Sequence, residues 1–262
     1  LRTLEHIKNR MFTNGTLYRV YSLSNNRIVE GTAKVVGYLE DYAYSAMAML
    51  DGYEFTLDTI YLSFAVTLAE IIIQDFRDPV DGACFFSKVD HRTPIDRFKD
   101  IFDSPLPSPN SVVITLYQRL YFYTENSKWI DFAERALSAF SPASEQASGL
   151  GMSTYFLSLA RQLDHNSEII VVYPRVSDSN QDDSLWLFLQ QAWIPNRAQI
   201  EIREGDSQIQ AQIRDRSWFL GKRTIDGKTT AYICRNFVCS QPMTTIAEIG
   251  KYLTSQSSSN TE

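Results

Sequence analysis

Two adjacent carboxylates, Glu40 and Asp41, stand between tyrosines in the stretch YLEDYAYSAMAMLDGY, residues 38–53. Carboxylates in unequal surroundings can divide the work of general acid and general base, because burial or a neighbouring charge separates their pKa values. Neighbours on a helix diverge by about 100°, so only one of the pair can face a given pocket, and Asp41 is the candidate. The same residues also suit the first turn of an ordinary helix, where negative charge meets the positive end of the helix dipole for about 0.3–1 kcal/mol. Tyr38 and Tyr44 offer flat faces to a sugar ring, whereas Tyr42 falls on an apolar stripe and reads as core.

A second polar cluster lies in DSPLPSPNS, residues 103–111. Asp103, Ser108, Asn110 and Ser111 gather there at an expected helix start, where free backbone N–H groups also collect, which makes a hydroxyl- or anion-binding corner. The simpler alternative is that Asn110 caps the helix while Pro105 and Pro107 stiffen its approach. Cys234 and Cys239 form a C-x4-C pattern. In a fully extended segment they stand about 16 Å apart, and a disulfide needs Cα atoms within about 7 Å, so pairing requires a turn near Asn236. Buried thiols are the default reading, with a redox or structural role as the alternative. A zinc site lacks two further ligands nearby. No glycine-rich loop follows EIIVVYP, and neither G-x-S-x-G nor H-E-x-x-H occurs, so no metal and no cofactor is expected. Of the three histidines, His6, His91 and His165, only His91 lies on a long connection that could reach a pocket; such a residue is more often simply solvated.

These residues need elements to hold them. The 262 residues contain 44% hydrophobic and 21% charged residues, which suits a globular chain with a sizeable core. Twenty-five basic against 31 acidic residues leave a formal charge of −6 without a Lys/Arg block, which argues against a nucleic-acid or anionic-membrane surface. The longest apolar run, Ile60 to Ile73, is shorter than the roughly 20 residues of a bilayer crossing and reads as a buried helix. Three cysteines and no signal peptide point to an intracellular, cytoplasmic setting.

From the start to about Leu163 the pattern is helical and the helices come in pairs. Leu39, Tyr42, Ala43, Ala46, Leu50 and Tyr53 form one apolar stripe, and Tyr61, Phe64, Ala65, Leu68, Ile71 and Ile72 another, with Asp58 placed to cap it. GACFFSKVD reads as a short extended segment. Helices follow around Val112 to Leu120, Trp129 to Phe140 and Met152 to Leu163. At Asp164 the character changes. EIIVVYP reads as a strand buried on both faces, followed by a helix carrying Leu185 to Trp193 that Pro195 stops. RAQIEIRE is an alternating strand, Gln208 to Phe219 a short helix, TTAYICRNF a third strand and Thr245 to Leu253 a last helix. This order predicts a small α/β layer domain with a mainly parallel sheet over residues 164–254, and 255–262 as a disordered polar tail.

Three stretches, GYLEDYAY (37–44), DSPLPSPNSV (103–112) and LGKRTIDGKTTAYICRNFVCSQPMTT (220–245), resemble segments of the spermatogenesis-associated, thioredoxin-domain-containing protein family. The resemblance implies an α/α toroid of the six-hairpin glycosidase type, of which residues 1–163 form a half, followed by the small α/β domain. It implies that the thioredoxin-like domain and the first hairpins are absent, so that missing sequence, a separate subunit or a homodimer partner closes the ring. Toroids of this kind are similar to those of sugar 2-epimerases, which implies acid/base chemistry on a carbohydrate, with Asp41, Glu40 and Asp103 as catalytic candidates and Tyr38, Tyr44, Ser108, Asn110 and Ser111 as substrate contacts. Two features depart from the family pattern: Pro109 stands where glycine is usual, and no thioredoxin-type C-x-x-C is present; in addition, none of the histidines lies in an epimerase motif. The alternative is a non-enzymatic scaffold that positions a partner.

Overall fold

The computed structural model describes residues 1–23, 31–90, 97–147, 151–164, 167–175, 183–194, 196–207, 213, 215–235 and 238–258. The chain separates into two compact units: Leu1–Tyr53 with Asp58–Leu163, and Glu54–Leu57 with Asp164–Glu262.

The first unit opens with a helical turn, α1 (Arg2–His6), widened into a π-helical turn over Ile7–Met11. The expectation of helix throughout fails next. β1 (Phe12–Thr13), β2 (Thr16–Ser22) and β3 (Thr32–Val36) form a three-stranded antiparallel sheet. Asn14 and Gly15, at φ 50° and 75°, make the two-residue turn between β1 and β2. An Asn-Gly pair tolerates this left-handed backbone, so the hairpin has a local cause that hydrophobic periodicity does not report.

The helices come next: α2 (Leu39–Thr56), α3 (Thr59–Ile71) with a π-helical extension Ile72–Phe76, α4 (Pro109–Thr124), α5 (Lys128–Gln146) and α6 (Ser153–Asp164). On α2 the buried residues Leu39, Tyr42, Ala43, Ala46, Met49, Leu50 and Tyr53 include the whole expected stripe. Asp58 caps α3, its carboxylate accepting the Ile60 N–H at 2.9 Å. The α3 stretch Thr59–Phe76 is apolar and long enough to cross a membrane by composition alone, and it buries Tyr61, Leu62, Phe64, Ala65, Leu68, Ala69, Ile72 and Phe76. GACFFSKVD contributes a single bridge, Arg77 with Cys84, rather than a strand.

Side-chain contacts fix the helix directions. Tyr42 near the start of α2 meets Phe76 at the end of α3 (5.1 Å between rings), while Gly52 near the end of α2 sits against Tyr61 at the start of α3. The pair is therefore an antiparallel hairpin, as its two-residue connection requires. Between α2 and α4, Tyr44 reaches Pro107 just before α4, Asp51 pairs with Arg119 at 2.7 Å, and Tyr53 meets Tyr123. Between α4 and α6, Ser111 O accepts from the Ser158 hydroxyl, and Gln118 donates to both Ser158 O and the Gln162 side chain. Thus α2, α4 and α6 run side by side in one direction while α3 and α5 return.

In the second unit, β4 (Ser167–Tyr173), α7 (Ser184–Gln191), β5 (Arg197–Arg203), β6 (Thr230–Arg235), β7 (Val238–Cys239) and α8 (Ile246–Ser258) build one sheet of order β5-β4-β6-β7. Only β4 and β5 are parallel, whereas β4 with β6 and β6 with β7 are antiparallel, so the sheet is mixed and not mainly parallel. Continuous apolar runs report burial on both faces and are blind to strand direction. Ile169, Val171 and Tyr173 pack with Leu185 and Leu189 of α7 and Ile249 of α8. Two boundaries move: α7 ends at Gln191, leaving Trp193 91% exposed, and α8 carries Ser255–Ser258 of the expected tail. Of the helix expected over Gln208 to Phe219, residues 208–212 and 214 lie outside the described residues and 215–219 are turn and irregular chain; the Pro195 stop, His91, His165 and the turn at Asn236 also lie outside the described residues.

The phenol of Tyr42 accepts the Leu17 N–H at 2.8 Å inside the first unit. Replacing Tyr42 with Phe leaves that donor buried and unpaired, which costs about 1–3 kcal/mol. Urea denaturation of the Tyr42→Phe protein should show this loss, and an unchanged midpoint would refute the role.

Candidate functional site

The acidic pair opens α2. Tyr38 precedes the helix, and its N–H is accepted by Asp41 Oδ2 at 2.8 Å while the Asp41 N–H returns to Tyr38 O at 3.0 Å. The first bond is the return half of a capping box, from the Asp41 side chain to the Tyr38 N–H, and the second is a backbone turn bond; together they fix the first turn of α2. Arg19, on β2, reaches both acids: Nη2 lies 2.8 Å from Glu40 Oε1 and Nε 3.7 Å from Asp41 Oδ2. Burial raises the Asp41 pKa above the usual value, and the Tyr38 N–H and the Arg19 guanidinium only partly offset it. The same guanidinium lies over the Tyr38 ring at 5.2 Å, and that ring stacks on Phe86, which stacks on Phe98.

The corner before α4 lies close by. Tyr44, on α2, donates its phenol to Pro107 O at 2.6 Å, and burial together with Glu40 and Asp103 raises its pKa. The acidic first turn of α2 and the proline-rich corner are therefore brought together. Inside the corner the polar groups hold the chain itself. Asp103 accepts the Ser108 N–H at Oδ1 (2.9 Å) and the Thr154 N–H at Oδ2 (2.9 Å), fastening the loop to the first turn of α6. Ser108, not Asn110, is the N-cap: its hydroxyl accepts from Ser111 N and donates to Asp100 O. Pro109 takes the first helical position, where its fixed φ suits the helix and its missing N–H has no cost, and this places the cap upstream of Asn110.

Asn110 points inward. Its amide donates to Cys84 O at 2.9 Å and Asp100 O at 2.8 Å and accepts the Cys84 N–H at 2.8 Å, so it acts as a strand partner for Cys84. Asn110 and Ser108 are 1% exposed and Ser111 0%, which removes all three from solvent reach. Ser111 Oγ has no hydrogen-bond partner among the described residues. Sequence reasoning missed Arg19, Phe86 and Phe98. Each comes from an element distant in the chain, and no local pattern marks them.

Cys234 and Cys239 are not thiols. They form a disulfide across the β6–β7 pair, directly opposite each other in register. A loop this short restricts the unfolded chain modestly, by about 2 kcal/mol. Cys84 is free and fully buried in the first unit, and burial pushes its thiol up to about 12. Among the described residues, no three His, Cys, Asp or Glu side chains stand together as metal ligands.

No family model matches the chain. It is similar along 94% of its length to spermatogenesis-associated protein 20 of Mus musculus (27% identity over 252 residues) and of Homo sapiens (27% over 251 residues). An uncharacterized protein of Caenorhabditis elegans, B0495.5, is 24% identical over 249 residues. These similarities support kinship with the spermatogenesis-associated protein family. The chain spans 31% of the length of the mouse and human proteins.

Two outcomes follow from the geometry. Asp103→Ala deletes both charge-assisted bonds and should lower stability by about 3 kcal/mol in chemical denaturation. In a carbon-detected NMR titration, Asp41 should titrate above 3.8 and Asp78, drawn down by Lys99, below it. The sign for stability is opposite in the two cases: Asp41 binds its proton more tightly when folded, so its contribution weakens as pH rises through that window, whereas the contribution of Asp78 is lost as pH falls through its folded pKa.

Proposed function

We propose that this chain is an architectural, partner-docking portion of a longer protein, and that the corner between α2 and α4 holds helices together rather than transforming a substrate. The observation that carries this reading is Asp103, both of whose carboxylate oxygens are taken by backbone N–H groups of the chain. A carboxylate bonded at each oxygen to the backbone of a different segment is fixed in place and fastens the loop to α6, which is a structural use of the group. In this reading the same-direction run of α2, α4 and α6 is one side of a larger ring of helical hairpins, of the six-hairpin toroid type. The remaining hairpins, a thioredoxin-like domain or a second copy of the chain would be its partners, in an intracellular setting. The match to only 31% of the curated relatives' length favours this.

A second reading is acid/base chemistry on a small carbohydrate, favoured by Asp41, whose pKa burial raises and which stands beside Glu40, Tyr38 and Tyr44. A carboxyl group that keeps its proton to higher pH suits a general acid. One screen separates the two. The protein and Asp41→Asn are melted with a panel of mono- and disaccharides. The docking reading expects no saccharide to shift the melting temperature of either protein. A stabilisation seen in the parent and abolished by Asp41→Asn would overturn it in favour of the carbohydrate reading.

A further inference from the structure

β6 has neighbours on both sides at Cys234: Glu168 of β4 on one and Cys239 of β7 on the other. Cys234 is fully buried, whereas Cys239 and its neighbour Val238 are exposed. β7 is an edge strand of two residues, joined to β6 through the pairs Cys234 with Cys239 and Arg235 with Val238. Just beyond it, Ser240 donates its N–H to Ile233 O at 2.8 Å and receives the Ile233 N–H on its hydroxyl at 3.2 Å. Since both β7 residues are exposed, apolar burial adds little here, and the disulfide acts together with the ladder bonds; the next anchor along this edge of β6 is buried Met243, which exchanges both backbone bonds with Ala231.

We propose that the Cys234–Cys239 disulfide is a thiol-exchange site for a dithiol, and that opening it frees the β7 edge while β4, β5 and β6 remain paired. Disulfides exposed to solvent are the labile ones, because a thiolate must approach one sulfur in line. Here the approachable sulfur belongs to Cys239. A bond forms between the incoming sulfur and Cys239 Sγ, the protein disulfide breaks, and its electron pair passes to Cys234 Sγ. That sulfur leaves as a thiolate held opposite Cys239, and it takes up a proton once the mixed disulfide beside it has been resolved.

The class of reactant follows from the ladder. After attack by a monothiol, the Cys234 sulfur is still held opposite Cys239 and expels the newcomer, closing the original bond again. A dithiol escapes this reversal because its second sulfur attacks the first, forms its own disulfide and leaves Cys239 as a thiol. In the net reaction the protein gains two electrons and two protons, and the dithiol loses the same. Cys84, the third of the chain's three cysteines, does not compete, since burial holds its thiol protonated.

Freeing β7 uncovers the end of the β6 edge from Ile233 O to Arg235, while the Ala231–Met243 bridge stays closed, and an uncovered edge is a surface on which another strand can pair. The test uses the oxidised protein in native buffer, treated with dithiothreitol or with glutathione at equal thiol concentration. Free thiols are trapped with iodoacetamide and located by mass spectrometry, and amide exchange is followed in parallel. Dithiothreitol should label Cys234 and Cys239, glutathione should leave the pair oxidised, and Cys84 should stay unlabelled. Exchange at the Ser240 amide should rise roughly tenfold while the amides of β4 stay unchanged. Cys239→Ser should reproduce the fast Ser240 exchange without reductant; if that variant fails to fold, the dithiothreitol arm on the parent decides alone. Labelling that needs denaturant, equal reduction by both thiols, or exchange that rises throughout β4 and β5 would overturn the proposal.

Discussion

The first unit depends on one buried amide. Asn110 supplies both a donor and an acceptor to the backbone of Cys84 and a second donor to Asp100 O, so two passes of loop are held against the start of α4. Loop backbone that enters a core must find partners for its N–H and C=O groups, and where no strand is available a side chain has to provide them. Once Asn110 does so, Ser108 is placed to cap α4, Asp103 closes the loop onto α6, and α2 is tied in through Tyr44 and Pro107. Cations resting on aromatic faces complete the attachment: Arg97 and Lys99 lie over Phe85, and Lys88 over Tyr42 beside Asp75.

This constraint explains why the corner resembles a binding site in the sequence. Serine, asparagine and aspartate beside prolines are the residues that bind hydroxyl groups, and they are equally the residues that cap helices and satisfy loop backbone. The choice between these uses is made by what stands within about 3 Å. For Asp103 that is the Thr154 N–H, 51 positions further along the chain. For Glu40 it is Arg19, 21 positions earlier.

The second unit places a different chemistry at its edge. β4 and β6 are buried nearly throughout and carry the sheet, whereas β7 adds only a short exposed pair of residues. Stability and reactivity are thus separated within one sheet. The covalent bond joins the buried Cys234 of β6 to the exposed Cys239 of β7.

Much of the fold was legible because it is local. The α2 stripe, the Asp58 cap and the buried run of β4 follow from spacings of two to four residues, over which helix and strand geometry act directly. The Asn14–Gly15 hairpin was equally local, and a turn dipeptide marked it where the apolar pattern suggested helix. Strand direction in the mixed sheet, the disulfide that a reading of extended chain kept apart, and the inward turn of Asn110 were not legible. Each depends on segments distant in sequence that meet only after folding. By itself the sequence determined the buried stripe of α2, the buried run of β4 and the Asp58 start of α3. Only the tertiary structure decided which polar atoms remain free for chemistry, since a hydrogen bond forms between neighbours in space and periodicity records only neighbours along the chain.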